Sequence, residues 1–553
     1  VRVAHIIISC YSSLQSRVTP RVFALLTLSY LVIIPVMEAI ISWWKAIKDL
    51  LAKPQNWLWL ILGLVLLILT RTVNLTALPI FCDEAIYIRW AQIAQSDGLM
   101  RFISLTDGKQ PFQTWITIPF LKIFADPLVA GRAQAVLAGI ALPVILILLT
   151  LLFFSKNKKN EANLVAMLVF FLVIFCPYLL FFSRMALAEA WLTLFAAGAI
   201  LFSCLLGKTR RLDVALLAGA WLGMGLLVKS QAYFFLILFP LGLLFVPIDF
   251  KKQKFTPALK FLALFLLSCL IAYFIYNVQR LSPWMYMIGQ KNADFAVSPF
   301  QALGELSAFW QNLKFSLAWF GQYLTWPVCL LSLAGLYWWF KKDWRQAAFL
   351  AGWFFLPFGA INLIARVYNS RYLAFLAFIP LLWTAYALVY LKGKFKKKLY
   401  WRLVLVLVLV LPCFRSFQLI TTPESFPFTI TDRGYLEGWT AGYGISETVA
   451  IINQAAQEQK VVVGTEGTFG LLSQGLEIYF TQNPAVDIFG YYPLPELPPE
   501  DLLESAKEGK SVFFVLNNTP GNFEKNNFLL RAEFPKVNNQ GSLRLYEVVN
   551  EKD

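Results

Sequence analysis

The sequence predicts a polytopic α-helical membrane protein that carries a small α/β domain at its C-terminal end. Three observations lead there. Of 553 residues, 58% are hydrophobic and only 14% are charged, and the mean hydropathy is +0.62, a balance that belongs to membrane proteins. Apolar runs of about eighteen residues or more recur along the first three quarters of the chain, each long enough to cross a bilayer as a helix. From residue 420 onward the pattern changes to short strand-like and helix-like segments separated by turn residues.

About eleven crossings are needed to place these runs. The first covers 57 to 72, and the later ones cover 128 to 154, 163 to 182, 187 to 206, 214 to 229, 231 to 247, 259 to 278, 318 to 340, 347 to 365, 372 to 391 and 399 to 419. Lys45, Lys48 and Lys53 precede the first and place its start in the cytoplasm. The joins at Lys156, Lys158 and Lys159, at Lys208, Arg210 and Arg211, at Lys251, Lys252 and Lys254, at Lys341, Lys342 and Arg345, and at Lys392 to Lys398 then fall on that same side. The same arithmetic puts 73 to 127, 279 to 317, 366 to 371 and the tail after 419 outside.

The domain plan is an N-terminal segment over 1 to 56, a membrane unit over 57 to 419 with its long outer loop 73 to 127, and an extracytoplasmic α/β domain over 420 to 553. Residues 22 to 41 are apolar enough to span, yet the pattern after Met37 reads as an amphipathic helix on the cytoplasmic face, so translation is expected to begin at or near Met37. In the tail, 446 to 459 reads as a helix, 460 to 464, 511 to 516 and 542 to 548 as strands, and 493 to 499 as a proline loop. The glycines from Gly464 to Gly470 follow a strand but match neither standard phosphate-binding fingerprint.

The net charge of +16 is a topology signal rather than a nucleic-acid footprint, because it is not spread over the chain. Residues 1 to 419 hold 39 Lys and Arg against 14 Asp and Glu, whereas 420 to 553 hold 9 against 18. Cys176, Cys204, Cys269, Cys329 and Cys413 lie in apolar runs without paired or metal-ligand spacing and read as packing residues. His5 is the only histidine, which argues against histidine catalysis and histidine metal sites. A divalent ion on carboxylates stays open, although no ligand set of recognisable spacing is present.

No acidic residue falls in the middle of an expected span, which disfavours a proton- or ion-coupled transporter. The acids cluster outside instead. Asp83 and Glu84, about ten residues after the first span, form an adjacent carboxylate pair between apolar flanks. Desolvation there raises a carboxylate's basicity toward neutral pH and suits it to general-base work; equally, Asp83 can cap a helix from Glu84 to Gln95. Lys109, Arg184, Lys229, Arg366 and Arg371 run against the usual charge bias. Together they can bind a phosphate at headgroup depth, with Arg371 forking onto its oxygens and Tyr372 donating a hydrogen bond; singly, they can snorkel to lipid headgroups.

These segments resemble the GT-C class of polyprenyl-phosphate-sugar glycosyltransferases, and within it the protein O-mannosyltransferase and aminoarabinose transferase branch (glycosyltransferase family 39 type). The resemblance rests on Asp83-Glu84 with Tyr87, on Gly108-Lys-Gln-Pro-Phe-Gln-Thr-Trp115, on Leu128-Val-Ala-Gly-Arg-Ala133, on Ser183-Arg-Met-Ala-Leu-Ala-Glu189 and on Arg371-Tyr372. It implies that Asp83, with Glu84, activates an acceptor hydroxyl for one inverting displacement at the sugar's anomeric carbon. It further implies that Lys109 and Arg371 hold the carrier phosphate, with Glu189 as a second acidic residue. Gln110, between Lys109 and Pro111, departs from the family's usual lysine followed by two prolines, and the loop from 279 to 317 is too short for a β-trefoil module.

The expectation is therefore an enzyme of the cell membrane, of bacterial type. It moves a mannose-like or aminoarabinose-like sugar from a polyprenyl phosphate to a hydroxyl on protein, lipid or glycan. A lipid-linked sugar flippase, which uses the same cations and breaks no bond, is the alternative. A membrane anchor for the tail would need only one or two spans.

Overall fold

The structure, a computed structural model, describes residues 54–154, 159–247, 255–304, 306–519 and 527–549. The expected start at Met37, the helix after it and His5 lie outside the described residues. The described chain opens on α1 (Pro54–Thr72), and the long loop after it holds α2 (Cys82–Ser96) and α3 (Phe112–Leu121). The bundle continues through α4 (Pro127–Phe154), α5 (Lys159–Ile174), α6 (Pro177–Phe182), α7 (Glu189–Thr209), α8 (Leu212–Val228) and α9 (Tyr233–Leu238). Then come α10 (Thr256–Tyr276), α11 (Met287–Phe295), α12 (Pro299–Gly304), α13 (Leu306–Phe320), α14 (Trp326–Lys342), α15 (Trp344–Ile364), α16 (Phe378–Lys394) and α17 (Lys398–Thr421).

Among the described residues, six helical segments are long and apolar enough to cross a membrane. The pair Ser370–Leu376 and Phe378–Lys394, bent by 47°, is a seventh, and four shorter apolar helices complete the eleven apolar segments among the described residues.

Two stretches differ from the sequence reading. The span expected over 163 to 182 is broken, because Pro177 has no N–H to give and disfavours helix before it; α5 stops at Ile174 and α6 restarts on the proline. The loop expected over 279 to 317 is largely helical. It holds α11, α12 and the first turns of α13, which runs through a π-helical segment, Gly321–Thr325, into α14. A Cβ on Gly321 would lie 2.4 Å from the Trp326 ring, so the wide turn closes only on glycine.

α7 is the axis of the bundle, with 94% of its apolar window buried inside the protein and apolar side chains on every face. By contrast α10 and α17 bury only 17% and 22% of theirs and turn Leu259, Leu266, Leu270, Leu403 and Leu407 outward, a composition suited to lipid. Where α14 crosses α16, a Cβ on Gly335 would sit 2.1 Å from the Trp383 carbonyl, so this glycine permits the close approach that drives helix association in lipid.

The two ends of α7 differ in chemistry. Glu189 starts the helix, and Lys208, about 28 Å away at 1.5 Å per residue, lies over the Phe153 and Phe245 rings, near the end where Lys342 covers Phe154. Basic joins therefore collect at one end, and Asp83, Lys229 and Arg371 meet Glu189 at the other.

At that second end stands a five-stranded sheet. Its strands are β1 (Val461–Glu466), β2 (Val486–Tyr491), β3 (Ser511–Asn517), β4 (Phe528–Pro535) and β5 (Ser542–Val548). Their order is β2-β1-β3-β5-β4, with β1 parallel to β2 and β3, and β5 antiparallel to β3 and β4. The helices α18 (Ile445–Ala455) and α19 (Leu471–Phe480) cover one face and α20 (Glu500–Lys507) the other, which is why β1 reads as an unbroken apolar run. The core on the first face does not stop at the domain. Leu471, Leu472 and Leu476 pack in one cluster with Cys82, Ala85, Ile86 and Ile88 of α2, and Arg89 pairs with Glu477 at 2.6 Å. The tail is thus seated on the very helix that bears the carboxylate pair.

Candidate active site

α2 begins at Cys82 with Phe81 as its N-cap, and phenylalanine has no oxygen to offer the free N–H groups of the first turn. Glu84 reaches back instead, and its Oε2 accepts from the Phe81 N–H at 3.0 Å. The same carboxylate is completely buried and takes Arg132 Nε at 2.8 Å, Arg132 Nη2 at 2.7 Å and the Ala186 N–H at 2.6 Å. Arg132 spends its remaining protons on the carbonyls of Leu75, Leu78 and Pro79 at 2.7, 2.8 and 3.1 Å, so all five of its N–H bonds are used. Glu84 is a structural knot that joins the loop after α1 to α4 and to the turn before α7. It is not brought to Asp83's face, and the reading that both carboxylates share the chemistry is corrected here, as is the one that gives the cap to Asp83.

Asp83 points the other way. Its carboxylate forms an ion pair and a hydrogen bond with Arg371 Nη1, and a quarter of its side-chain surface stays open. Lys229, the C-cap of α8, sets its ammonium 2.7 Å from Glu189 at the start of α7 and 4.9 Å from the centre of the Tyr372 ring. Gln231 holds the Tyr372 carbonyl at 2.9 Å. Lys109 follows the left-handed Gly108, where a Cβ would collide with the Met287 carbonyl at 2.6 Å, and its ammonium lies over the Phe295 ring with no carboxylate partner among the described residues. Next to it Lys291 pairs with Asp107 at 2.5 Å. Tyr87, one turn along α2 from Asp83, and Tyr435, from the segment that enters the sheet domain, complete the wall; burial and the nearby Asp83 and Glu189 hold the Tyr87 hydroxyl protonated.

The cluster thus sets Lys109, Lys229 and Arg371 against Asp83 and Glu189, one positive charge in excess. Burial pushes the Asp83 carboxyl up, but Arg371, Lys109 and Lys229 together outweigh it and hold the group below the usual carboxylate range. The sequence reading, in which desolvation dominates, has the sign reversed because it does not see three cations converge. Burial also lowers the Lys109 ammonium from its ordinary value. Because a lowered carboxyl is ionised in the free protein throughout the neutral range, kcat/KM should show no acid limb from Asp83 between about pH 5 and about pH 8. A pH profile of initial rates checks this, and an acid limb that disappears in Asp83→Asn would contradict it.

Arg371 Nε and Gln231 Oε1 are buried and without a partner. Such groups cost about 1–3 kcal/mol each when left alone. The structure therefore brings Asp83, Lys109, Glu189, Arg371 and Tyr372 together. It does not bring Arg184, whose guanidinium caps the end of α1 through the Thr70 and Asn74 carbonyls at 2.9 and 2.6 Å and stays outside the cluster; nor Arg366, which remains exposed. Lys229 deserved equal rank with Lys109 on the sequence alone, as a lone lysine between two apolar runs on the side where lysine is rare. Tyr435, Gln231 and Lys291 had no such signal. Among the described residues no three carboxylate, thiol or imidazole groups gather as a metal's ligands.

Comparison with solved structures bears on the architecture. ArnT from Cupriavidus metallidurans in the apo state superposes with a TM-score of 0.55 at 14% identity, over 90% of this chain and 98% of that one. ArnT from the same organism bound to undecaprenyl phosphate gives 0.53 at 13% identity, over 89% and 98%. The fold is of the GT-C class. The likeness covers nearly the whole of ArnT, and together with the apolar helices it supports a multi-pass membrane protein. No protein-family model matches the sequence, and no curated protein sequence is significantly similar to it.

Proposed function

We propose that the protein transfers a sugar from a polyprenyl phosphate to an acceptor hydroxyl, on the outer side of the membrane. The observation that carries this reading is the site's charge: one accessible carboxylate, Asp83, set among three cations with a surplus of +1. A polyprenyl-phosphate sugar is a phosphodiester with a single negative charge, which that surplus balances. Its phosphate would take Arg371, with the free Nε, together with Lys109 and Lys229, and so loosen Arg371's hold on Asp83. The neighbour ArnT with undecaprenyl phosphate bound supports a polyprenyl carrier.

The step balances in atoms and charge. The acceptor oxygen attacks the anomeric carbon as its proton passes to Asp83, while the bond from that carbon to the phosphate oxygen breaks. Polyprenyl phosphate leaves as a monoester with two negative charges. Neutral Asp83 and ionised Glu189 then face the three cations and the dianion, so the site ends without net charge. Inversion follows from a single displacement. Glu189 fixes the Lys229 ammonium and keeps the surplus small. The orientation is supported by the basic joins, which lie at the far end of α7 and hold the cytoplasmic side under the usual charge bias. The sugar is mannose-like or aminoarabinose-like on the resemblance, and the acceptor is a protein, lipid or glycan hydroxyl.

Purified protein given labelled polyprenyl-phosphate sugar and acceptor in detergent should release polyprenyl phosphate. A flippase releases none there, and that outcome would replace the enzyme reading. Arg371→Ala should weaken polyprenyl phosphate binding by about 10- to 10²-fold, the loss of one or two hydrogen bonds to a charged group; a titration showing wild-type affinity would remove Arg371 from the phosphate site.

A further inference from the structure

We infer that the segment from Thr429 to Gly442, between the last span and the sheet domain, is a strap that positions both members of the Asp83–Arg371 pair, with Asp432 as its positioning residue. The inference rests on the transferase reading for its kinetic test, but its geometry stands apart from it. Asp432 is buried, and its two oxygens divide between elements: Oδ1 accepts from Ser370 Oγ at 2.9 Å and Oδ2 from Tyr323 Oη at 2.9 Å. Ser370 immediately precedes Arg371 and is held from its other side, where its carbonyl accepts from Tyr178 Oη at 2.6 Å. The strap is pinned again at Thr429 and Thr431, which share the Trp319 indole N–H at 2.9 and 3.0 Å.

Ten residues on, the strap reaches Asp83. The Cys82 N–H donates to the Thr440 carbonyl at 3.0 Å, the Gly442 N–H donates to the Ile80 carbonyl at 2.9 Å, and Phe81 pairs with Ala441 in an antiparallel bridge. A Cβ on Gly442 would stand 2.4 Å from the Ile80 carbonyl, so this edge admits only glycine. Between the two anchors Tyr435 packs on Phe81 and Phe181, with centroids 4.7 and 4.9 Å apart. One stretch of fourteen residues therefore fixes the backbone just before each partner of the ion pair, and a slip of about 1 Å at a reacting group costs up to about 10²-fold in rate.

In the full-length protein, Asp432→Ala should lower kcat by about 10- to 10²-fold and weaken polyprenyl phosphate binding, with acceptor KM unchanged within about twofold. Asp432→Asn should recover most of both, because its amide can accept from Ser370 and donate to Tyr323. Ser370→Ala, a milder change, should lower kcat several-fold. Glu477→Ala, which cuts the peripheral Arg89 contact of the same domain, should leave kcat near wild type. Wild-type kcat in Asp432→Ala or in Ser370→Ala, or an equal loss in Glu477→Ala, overturns the strap. A wild-type protein that releases no polyprenyl phosphate is a different result, and it ends the transferase reading while the binding comparison still tests the strap.

Discussion

Asp83→Asn is expected to fold and insert as the wild type does, to bind the donor at least as well, and to lose about 10³-fold in kcat, within the span that a positioned base contributes. The geometry sets each part of that result. Asp83 takes no part in capping α2, since Glu84 holds the Phe81 N–H, and the side chain keeps a quarter of its surface open, so an isosteric amide has room and its oxygen can still accept from Arg371. Removing one carboxylate raises the site's surplus from one to two positive charges, which favours an anionic donor. What disappears, on the proposed mechanism, is the proton acceptor. Kinetics with labelled donor should thus show a fallen kcat with an equal or lower donor KM, the pattern of a group needed in the transition state and not for ground-state binding. Wild-type turnover in Asp83→Asn would take the base role from this residue.

The bundle was legible because lipid imposes a coarse rule. Every backbone polar group must be satisfied within its own segment, so apolar length alone finds the helices. That rule does not see where a helix is cut. Pro177 interrupts an apolar run that hydropathy reads as continuous, and α13 opens inside a stretch whose polar content reads as loop. In the tail, β1 and β3 are found because both their faces are buried and their sequence is evenly apolar, and β5 because Leu543, Leu545 and Val548 mark a buried face despite Arg544 and Glu547, whereas β2 and β4 mix Asp487, Arg531 and Glu533 into runs with one exposed face.

The site divides along similar lines. Cations on the side that the charge bias assigns to the outside stand out in the sequence, and Lys109, Lys229 and Arg371 do converge. Contacts between residues hundreds of positions apart leave no trace in one sequence. Asp432 reads as an ordinary linker carboxylate, and nothing in its neighbours states that it grips the residue before Arg371. The same gap explains why the tail reads as separable, although α19 shares its core with α2.

Adjacent carboxylates with opposite fates make the second large effect. Glu84→Ala should cost about 3–5 kcal/mol of stability, the loss seen when one member of a buried pair is removed, and should show as low yield and aggregation in detergent. The guanidinium of Arg132 would be left buried without a counter-charge, and the N–H groups of Phe81 and Ala186 would lose their acceptor. Glu84→Gln should also destabilise, though less, since its amide hydrogens would oppose the donors of Arg132 and the backbone. Replacing both partners by apolar side chains is neutral or stabilising for some buried ion pairs elsewhere in protein chemistry, but Glu84→Leu with Arg132→Met should not recover the loss here. The pair also serves three carbonyls, at Leu75, Leu78 and Pro79, and two N–H groups, and hydrophobic side chains would leave all five unsatisfied. Whatever fraction of Glu84→Ala survives purification as a monodisperse species should turn over near the wild-type rate per folded molecule, the reverse of Asp83→Asn. Thermal melts and active-site-normalised rates on the two variants separate the roles. A Glu84→Ala protein that is stable and inert would move Glu84 from the scaffold into the chemistry.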